Sequence, residues 1–102
     1  MRLVSKTFIR KRAEEYPKAA KYLEQWIHTA EEAEWRSLVD VRRHYPTTDS
    51  VRVNSGRNVL VFNVCGNDYR FICAAHFNTQ VIFALCFMTH AEYSKNSWKN
   101  EL

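Results

Sequence analysis

The chain has 102 residues, 46% of them hydrophobic and 14% aromatic, which is enough for one modest core and argues against a second domain. Fifteen Lys and Arg against eleven Asp and Glu give a formal net charge of +4, which suits an anionic partner without requiring one. We therefore expect residues 1–102 to form a single domain that carries the whole function.

Segment lengths and cysteine spacing argue against two further classes of protein. The longest mostly apolar segment, Val81 to Met88, is far shorter than the roughly 20 residues of a membrane-spanning helix. The N-terminus lacks the apolar core of a signal peptide, so we expect a cytoplasmic protein that contacts no membrane. Zinc-type spacing is absent, and we interpret the three cysteines, Cys65, Cys73 and Cys86, as reduced, buried hydrophobic residues. No metal or cofactor is expected.

The first half of the chain has the apolar spacing of helices. Residues Ser5 to Tyr16 predict a basic amphipathic helix with Ser5 as its N-cap. Pro17 suits the first position of a second helix, which carries an apolar stripe. The stripe consists of Ala20, Leu23, Ile27 and Ala30. A short third helix is expected from Ser37, as its cap, to about His44, and the Pro and polar residues at 46–50 end it.

Charge is unevenly distributed over these helices. Basic residues crowd the first quarter of the chain, and an acidic cluster follows at Glu31 to Glu34. The basic residues are Lys6, Arg10, Lys11, Arg12, Lys18 and Lys21. The pattern suits contact with nucleic acid or an acidic protein, and it equally suits ordinary solvated helix faces.

From Val51 onward the pattern changes to short β-branched and aromatic runs. Three strands are predicted, at about Asn58 to Val64, Tyr69 to Phe77 and Gln80 to Met88, with a weaker one at Val51 to Asn54. Their short connections require antiparallel neighbours. The predicted fold class is α+β, with N-terminal helices packed on an antiparallel sheet of about four strands and a short C-terminal helix. Both sheet faces are apolar, so we expect a partner to cover the face that the helices leave free.

The predicted hairpins gather polar residues at one end of the sheet. A two-residue turn at Asn78-Thr79 sets Arg70 opposite Phe87, close to the end of the last strand. A turn at Gly66-Asn67 sets Asn63 opposite Arg70 on the other side. Arg57 is expected at the far end of the sheet.

The residues after the last strand have the pattern of a helix start. Thr89-His90-Ala91-Glu92 matches the capping box, in which Thr89 and Glu92 each bond the other's backbone amide. His90 and Tyr93 then form an i, i+3 pair on one helix face near Arg70. His90 could also be a solvated surface residue. Arg70 is costly to bury alone, so it either meets a carboxylate or keeps an anion site open.

Arg, His and Tyr around one point suit the cleavage of RNA without a metal. A base takes the proton of the 2′-OH, an acid protonates the departing 5′ oxygen, and a guanidinium stabilises the phosphorane. The partial positive charge of a helix start favours a neutral imidazole, which makes His90 available as a base. Tyr93 could act as the acid or stack on a base of unpaired RNA.

Two motifs together resemble a known family. FNVCGNDYRFI, Phe62 to Ile72, followed by MTHAEYSK, Met88 to Lys95, resembles the HigB toxins. The upstream residues 38–43 and Tyr45-Pro46 fit the same pattern, so the resemblance covers nearly the whole chain. The resemblance is fairly specific because both motifs occur, and the separation between them also matches that in the family.

The resemblance implies a RelE-like fold and the toxin of a type II toxin–antitoxin module. Such toxins are mRNA interferases, endonucleases that typically cut messages on the translating ribosome without a metal and so inhibit translation. A helix-turn-helix antitoxin, HigA, silences them, and operator DNA is bound indirectly through that antitoxin.

The resemblance also assigns residues. By similarity to the related RelE toxins, the catalytic candidates are Arg70, His90 and Tyr93. The lysines of the RelE pattern are missing from the strand before Arg70, where Asn63 stands instead, and His90 therefore becomes the first choice for the base. The RNA-binding candidates are Asn63, Asn67, Lys95 and Arg57.

Two rival hypotheses use the same fold. In one, the protein is a non-catalytic RNA- or ribosome-binding module in which His90 and Tyr93 serve only as contacts. In the other, it is a purely structural partner of a small protein. The basic helix could anchor ribosomal RNA or be structural, and both the free sheet face and Glu31 to Glu34 could meet the antitoxin.

Overall fold

The computed structural model describes residues 1–102 and has helices packed on one face of a five-stranded sheet, which confirms the predicted α+β class. The helices are α1 (Lys6–Glu15), α2 (Ala20–Glu32), α3 (Leu38–His44) and α4 (His90–Ser94), with short 3-10 helices at Pro17–Ala19 and Ser97–Asn100. The strands are β1 (Arg2–Val4), β2 (Asp49–Arg52), β3 (Asn58–Val64), β4 (Tyr69–His76) and β5 (Val81–Thr89). None of the helices has the length and apolar content to span a membrane.

The sheet is mixed, because a strand that the sequence did not predict joins its edge. The order is β1-β5-β4-β3-β2, and β1 runs parallel to β5 while all other neighbours are antiparallel. β1 has only three residues, too few to show a period of two, and its partner Val81 to Phe83 lies far along the chain. Four antiparallel strands were predicted, one of them displaced by two residues, and the fifth was missed.

The β4–β5 hairpin differs from the predicted one in two places. Its last pair is His76 with Val81, so the loop has four residues rather than the predicted two at Asn78-Thr79. A bulge then shifts the register between Ile72 and Cys73, because β5 has one extra residue there. Arg70 consequently lies opposite Met88 and not Phe87.

The other hairpin has the predicted register. Asn63 pairs with Arg70 and Val64 with Tyr69, across a turn in which Cys65 and Gly66 both have positive φ. The weak strand was misplaced by two residues, because β2 begins at Asp49 inside the segment assigned to a loop.

At two of the three predicted helix caps, the residue is at the N-cap position but its side chain makes no cap hydrogen bond. Ser5 and Ser37 occupy the N-cap positions of α1 and α3, but neither side chain accepts a cap hydrogen bond. Ser5 has φ 80°, and at α3 the carboxylate of Asp40 instead accepts the backbone N–H of Arg36 at 2.9 Å. The third cap, at α4, is the predicted capping box.

The main core lies between the helices and one sheet face. Trp26 of α2 is fully buried and meets Phe62 and Phe71 edge-on, at 5.5 and 4.7 Å between ring centroids. Cys73 belongs to this core, whereas Cys65 and Cys86 are only half-buried.

The opposite sheet face, called here the second face, is covered in part by the chain itself. Trp98 packs there against Val53, Val59, Val61, Ile72 and Met88. The prediction that a partner covers this face is therefore wrong for the part under Trp98, where residues of the 3-10 helix Ser97–Asn100 take that place.

Candidate active site

Arg70 lies on β4 near the end of the sheet and is only 8% exposed. Its Nη1 donates to the carbonyl of Tyr69 at 3.1 Å, and its Nη2 donates to Oδ1 of Asn67 at 3.2 Å. Nη2 also lies 3.3 Å from Nδ1 of His90. These three contacts restrain the guanidinium.

All of these partners are neutral, and no ion pair of the structure includes Arg70. The nearby carboxylates have other roles: Glu92 belongs to the capping box, Asp68 pairs with Lys18, and Asp49 lies 3.7 Å from Arg42. A nearly buried cation without a counter-charge is unfavourable, so this geometry favours an open anion site over a carboxylate partner.

Hydrogen bonds of the backbone around His90 hold this residue in position. Thr89 Oγ1 accepts the N–H of Glu92 at 3.2 Å, and Oε1 of Glu92 accepts the N–H of Thr89 at 3.2 Å. The N–H of His90 itself donates to the carbonyl of Asp68 at 3.0 Å, which ties α4 to the turn before β4. The capping box and this bond together hold the imidazole beside Arg70.

The contact with Arg70 selects a tautomer of His90. A guanidinium can only donate hydrogen bonds, so Nδ1 is the acceptor and the ring proton of the neutral imidazole lies on Nε2. His90 is exposed, so solvent or a ligand can reach it. The lone pair that could take a proton therefore points towards the anion site.

Tyr93 is half-buried between two partners. Cζ of Arg70 lies over its ring, 5.4 Å from the centroid, and the ring of Trp98 stacks on it at 5.2 Å with 19° between the planes. Burial raises the pKa of the Tyr93 phenol, the charge of Asp49 raises it further, and Arg70 opposes the shift. Because both contacts use ring faces, Tyr93 is better placed to present its hydroxyl than to stack on a base.

The other predicted site residues divide into two groups. Asn67 bonds Arg70, Asn63 is its cross-strand neighbour, and Lys95 follows α4 as an exposed residue without an acidic partner. Arg57 is exposed but precedes β3, six residues from Asn63, or roughly 20 Å along the strand. The structure thus brings Asn63 and Asn67 to Arg70, and it leaves Arg57 at the other end.

Sequence reasoning missed one member of the site, Trp98. The signal that could have identified it is a lone tryptophan in the polar segment SKNSWKN, because such a side chain needs an apolar surface to cover. The second face of the predicted sheet offered that surface.

The site is an open shelf and not a cavity. The largest concavity, of about 1000 Å³, lies at the other end of the sheet and is lined by residues such as Glu31, Arg36 and Gln80. No group of three or more His, Cys, Asp or Glu side chains that could hold a metal ion occurs anywhere in the structure. A shelf of this kind suits a segment of a long ligand that is held from outside.

Comparison with models of protein families identifies the family of this chain. The family model HigB_toxin, described as the RelE-like toxic component of a toxin-antitoxin system, matches residues 19–96. This range includes Arg70, His90 and Tyr93 and ends before Trp98. No curated protein matches the chain.

Proposed function

Since the chain belongs to the HigB toxin family, the RelE-like toxic components of toxin–antitoxin systems, we propose that it is a metal-independent endoribonuclease. Its substrate is messenger RNA on the translating ribosome, in the cytoplasm, and residues 1–102 act as one domain. The family implies an antitoxin partner. In our proposal this partner is a helix-turn-helix protein of the HigA type, through which operator DNA is bound indirectly.

The observation that carries the proposal is the unpaired guanidinium of Arg70. It is nearly buried, held by neutral groups, and lies beside a histidine and a tyrosine. A phosphate diester supplies the missing negative charge, and charge-assisted hydrogen bonds to it are stronger than the neutral ones seen here. The same guanidinium then stabilises the additional charge of the phosphorane.

The groups beside Arg70 can catalyse transfer of the phosphoryl group from the 5′ oxygen to the 2′ oxygen of the RNA. Nδ1 of His90 takes the proton of the 2′-OH once the phosphate has drawn Nη2 of Arg70 away from it. The 2′ oxygen attacks phosphorus, the bond to the 5′ oxygen breaks, and the phenol of Tyr93 protonates the leaving oxygen. Arg70, which lies over the ring, stabilises the tyrosinate that remains. The products are a 2′,3′-cyclic phosphate and a 5′ hydroxyl.

Basic residues on the surface suit contact with RNA only where no acidic side chain pairs with them. Three of the four basic residues of α1 are paired with acids, as Lys6 is with Glu31 at 2.6 Å, and only Lys11 is not. The basic helix is therefore a weaker RNA anchor than its composition suggested. Lys95 and Arg57 have no acidic partner, and each can contact a phosphate of the message or of ribosomal RNA.

The deciding experiment compares cleavage by the wild type with that of His90→Ala and Arg70→Ala. A defined message is incubated with purified bacterial ribosomes and each variant, and new 5′ ends are mapped. We expect cuts within the coding region for the wild type and a loss of about 10²-fold or more in rate for either variant. His28→Ala, which removes an exposed histidine on α2, is the matched control and should cleave normally.

The runner-up is a non-catalytic RNA- or ribosome-binding module of the same fold. It is favoured by one observation, namely that Nδ1 of His90 is already engaged by Arg70. Such a module would inhibit translation in the same assay without producing any new 5′ end. Full cleavage by both site variants would instead show that the site lies elsewhere.

A further inference from the structure

Tyr93 is held by a residue that lies outside the part of the chain matched by the family model. The ring of Trp98 stacks on that of Tyr93, and its indole Nε1 donates to the Tyr93 carbonyl at 3.0 Å. Trp98 is only 5% exposed. One side chain therefore restrains both the ring and the backbone of Tyr93.

Trp98 is in turn anchored independently of α4. The segment around it is tied to the β2–β3 connection by hydrogen bonds from the N–H of Asn54 to the carbonyl of Lys99 at 3.1 Å and from Oγ of Ser55 to the carbonyl of Leu102 at 2.8 Å. The side-chain amide of Asn54 also donates to that of Asn100. Because β2 and β3 belong to the sheet, these bonds make Trp98 part of the rigid scaffold.

The α4 helix cannot hold Tyr93 by itself. It has five residues, which is little more than one turn, and isolated helices of that length are unstable in water. The capping box fixes its first turn beside His90, but Tyr93 lies near the other end. Without Trp98, Tyr93 would be held only by a fraying turn and by its contact with Arg70.

The contact with Arg70 makes the position of Tyr93 important for the anion site. Cζ of Arg70 lies 5.4 Å from the centroid of the Tyr93 ring, whereas Asn67 and His90, whose side chains contact the same guanidinium, are exposed. If the ring moved, the guanidinium would lose its cation-π contact and one of the restraints on its direction.

We propose that Trp98 is a positioning residue of the active site: its stack on Tyr93 holds the Tyr93 ring against Arg70 and, together with the hydrogen bonds of Arg70, sets the direction of the guanidinium. The part that concerns cleavage rests on the proposed function, whereas the positioning itself does not. Trp98 touches neither RNA nor the reacting atoms in this arrangement, and it acts through Tyr93.

The positioning is tested by nuclear magnetic resonance on the isotope-labelled full chain, without RNA. Because Arg70 lies over the Tyr93 ring, we expect ring-current shifts in the signals of its side-chain protons. We expect Trp98→Leu to move these signals towards those of an unrestrained arginine, and Trp98→Phe, which keeps a stacking ring, to retain most of the shift. Should Trp98→Leu fail to fold, Trp98→Met removes the ring with a longer apolar side chain in its place.

The consequence for cleavage is tested with the defined message on purified ribosomes. Trp98→Leu should lower the single-turnover rate by about 10- to 100-fold, because small displacements of a reacting group have effects of that size. The half-saturating concentration should stay near that of the wild type, and Trp98→Phe should recover most of the rate. Trp35→Leu is the matched control: it removes a tryptophan that is 2% exposed and bonds His44, and it should change neither the Arg70 signals nor the rate.

The outcomes separate the two proposals. A folded Trp98→Leu protein with unmoved Arg70 signals overturns the positioning role, whatever its cleavage rate. Moved signals with an unchanged rate overturn the claim that this position matters for cleavage. A wild-type protein that leaves the message intact overturns the proposed function alone, since the resonance measurement still decides whether Trp98 positions Tyr93 and Arg70.

Discussion

Arg70 combines a buried position with a planar fork of donors, and both properties matter for the proposed chemistry. Its two terminal nitrogens reach three acceptors in different directions: the Tyr69 carbonyl, Asn67 and His90. A lysine carries the same charge, but its single ammonium group on a flexible chain cannot reproduce a bidentate arrangement. In the proposed mechanism, charge alone is therefore insufficient at this position.

Arg70→Lys should accordingly behave as a loss-of-function variant. We expect the single-turnover cleavage rate of a ribosome-bound message to fall by about 10²- to 10³-fold, the usual range when one preorganised donor to a developing charge is removed. Arg2→Lys makes the same change at an exposed strand arginine opposite Val81, at the far end of the sheet, and should cleave normally. If Arg70→Lys cleaved at the wild-type rate, only the positive charge of this residue would matter for cleavage.

At the scale of single residues, the sequence predicted which side chains meet but not how they are held. Asn63, Arg70 and His90 could be brought together by counting along hairpins, because antiparallel register is set by strand length and turns. The counting placed Arg70 opposite Phe87, and the bulge moved it to Met88. That error was harmless because a shift of one residue leaves Arg70 at the same end. Trp98 could not be found by counting, since its contact with Tyr93 depends on how a polar segment folds back over the sheet.

Among the elements, α4 contributes most to the site relative to its size. The helix has only five residues, and its capping box supplies the two reciprocal bonds that begin it. The same chain segment continues β5, so the strand, the cap and His90 are positioned as one unit. The structural role of Thr89 and Glu92 and the proposed catalytic role of His90 are therefore coupled.

Thr89→Ala should reveal this coupling in stability. Loss of the Thr89 hydroxyl leaves the N–H of Glu92 without its acceptor, and we expect the free energy of unfolding to fall by about 1 kcal/mol in urea denaturation. Ser37→Ala is the matched control, because Ser37 holds the same N-cap position in α3 but its side chain makes no cap bond. Its effect should be no more than a few tenths of a kcal/mol. Equal losses for the two variants would mean that the α4 capping box does not contribute to stability.

Element boundaries followed from the sequence wherever a pattern was long enough to repeat. β3 was predicted to the residue, and β4 and β5 to within one residue, because each strand is at least seven residues long and mostly apolar. β1 and β2, with three and four residues, lack such a pattern and depend on a neighbouring strand for their hydrogen bonds. The predicted side-chain cap is present at α4 and absent at α1 and α3, since a serine at an N-cap position permits a cap bond without requiring one.

For the whole molecule, the sheet separates two apolar layers of unequal size. The helix layer contains the main core, whereas the second face carries a smaller cluster closed by Trp98. The site lies where the second face meets the end of the sheet, so it depends on the smaller cluster. Changes that loosen this cluster should affect the site before they unfold the main core.

Ionisable groups that resist losing a proton are found in both layers. Burial raises the pKa of the phenols of Tyr22, Tyr45 and Tyr93 and of the thiols of Cys73 and Cys86. Each of these groups keeps its proton in the folded state at a pH where the unfolded chain has lost it. Their contribution to stability is therefore fully present below the unfolded pKa values, near 9 for the thiols and 10 for the phenols, and is lost as the pH rises further.

Tyr22 offers the clearest test of this alkaline behaviour, because burial is the main cause of its raised pKa and its buried hydroxyl has no hydrogen-bond partner. We expect the unfolding free energy of the wild type to be flat between pH 7 and 8.5 and to fall above about pH 9, by about 1.4 kcal/mol per pH unit for each proton that only the folded state retains. Tyr22→Phe should match or slightly exceed the wild type at pH 7, since an unsatisfied polar group is removed, and it should lose less stability above pH 10. Urea denaturation at pH 7, 9, 10 and 11 measures both effects. Identical slopes for the two proteins above pH 10 would show that Tyr22 ionises as freely in the folded state as in the unfolded chain.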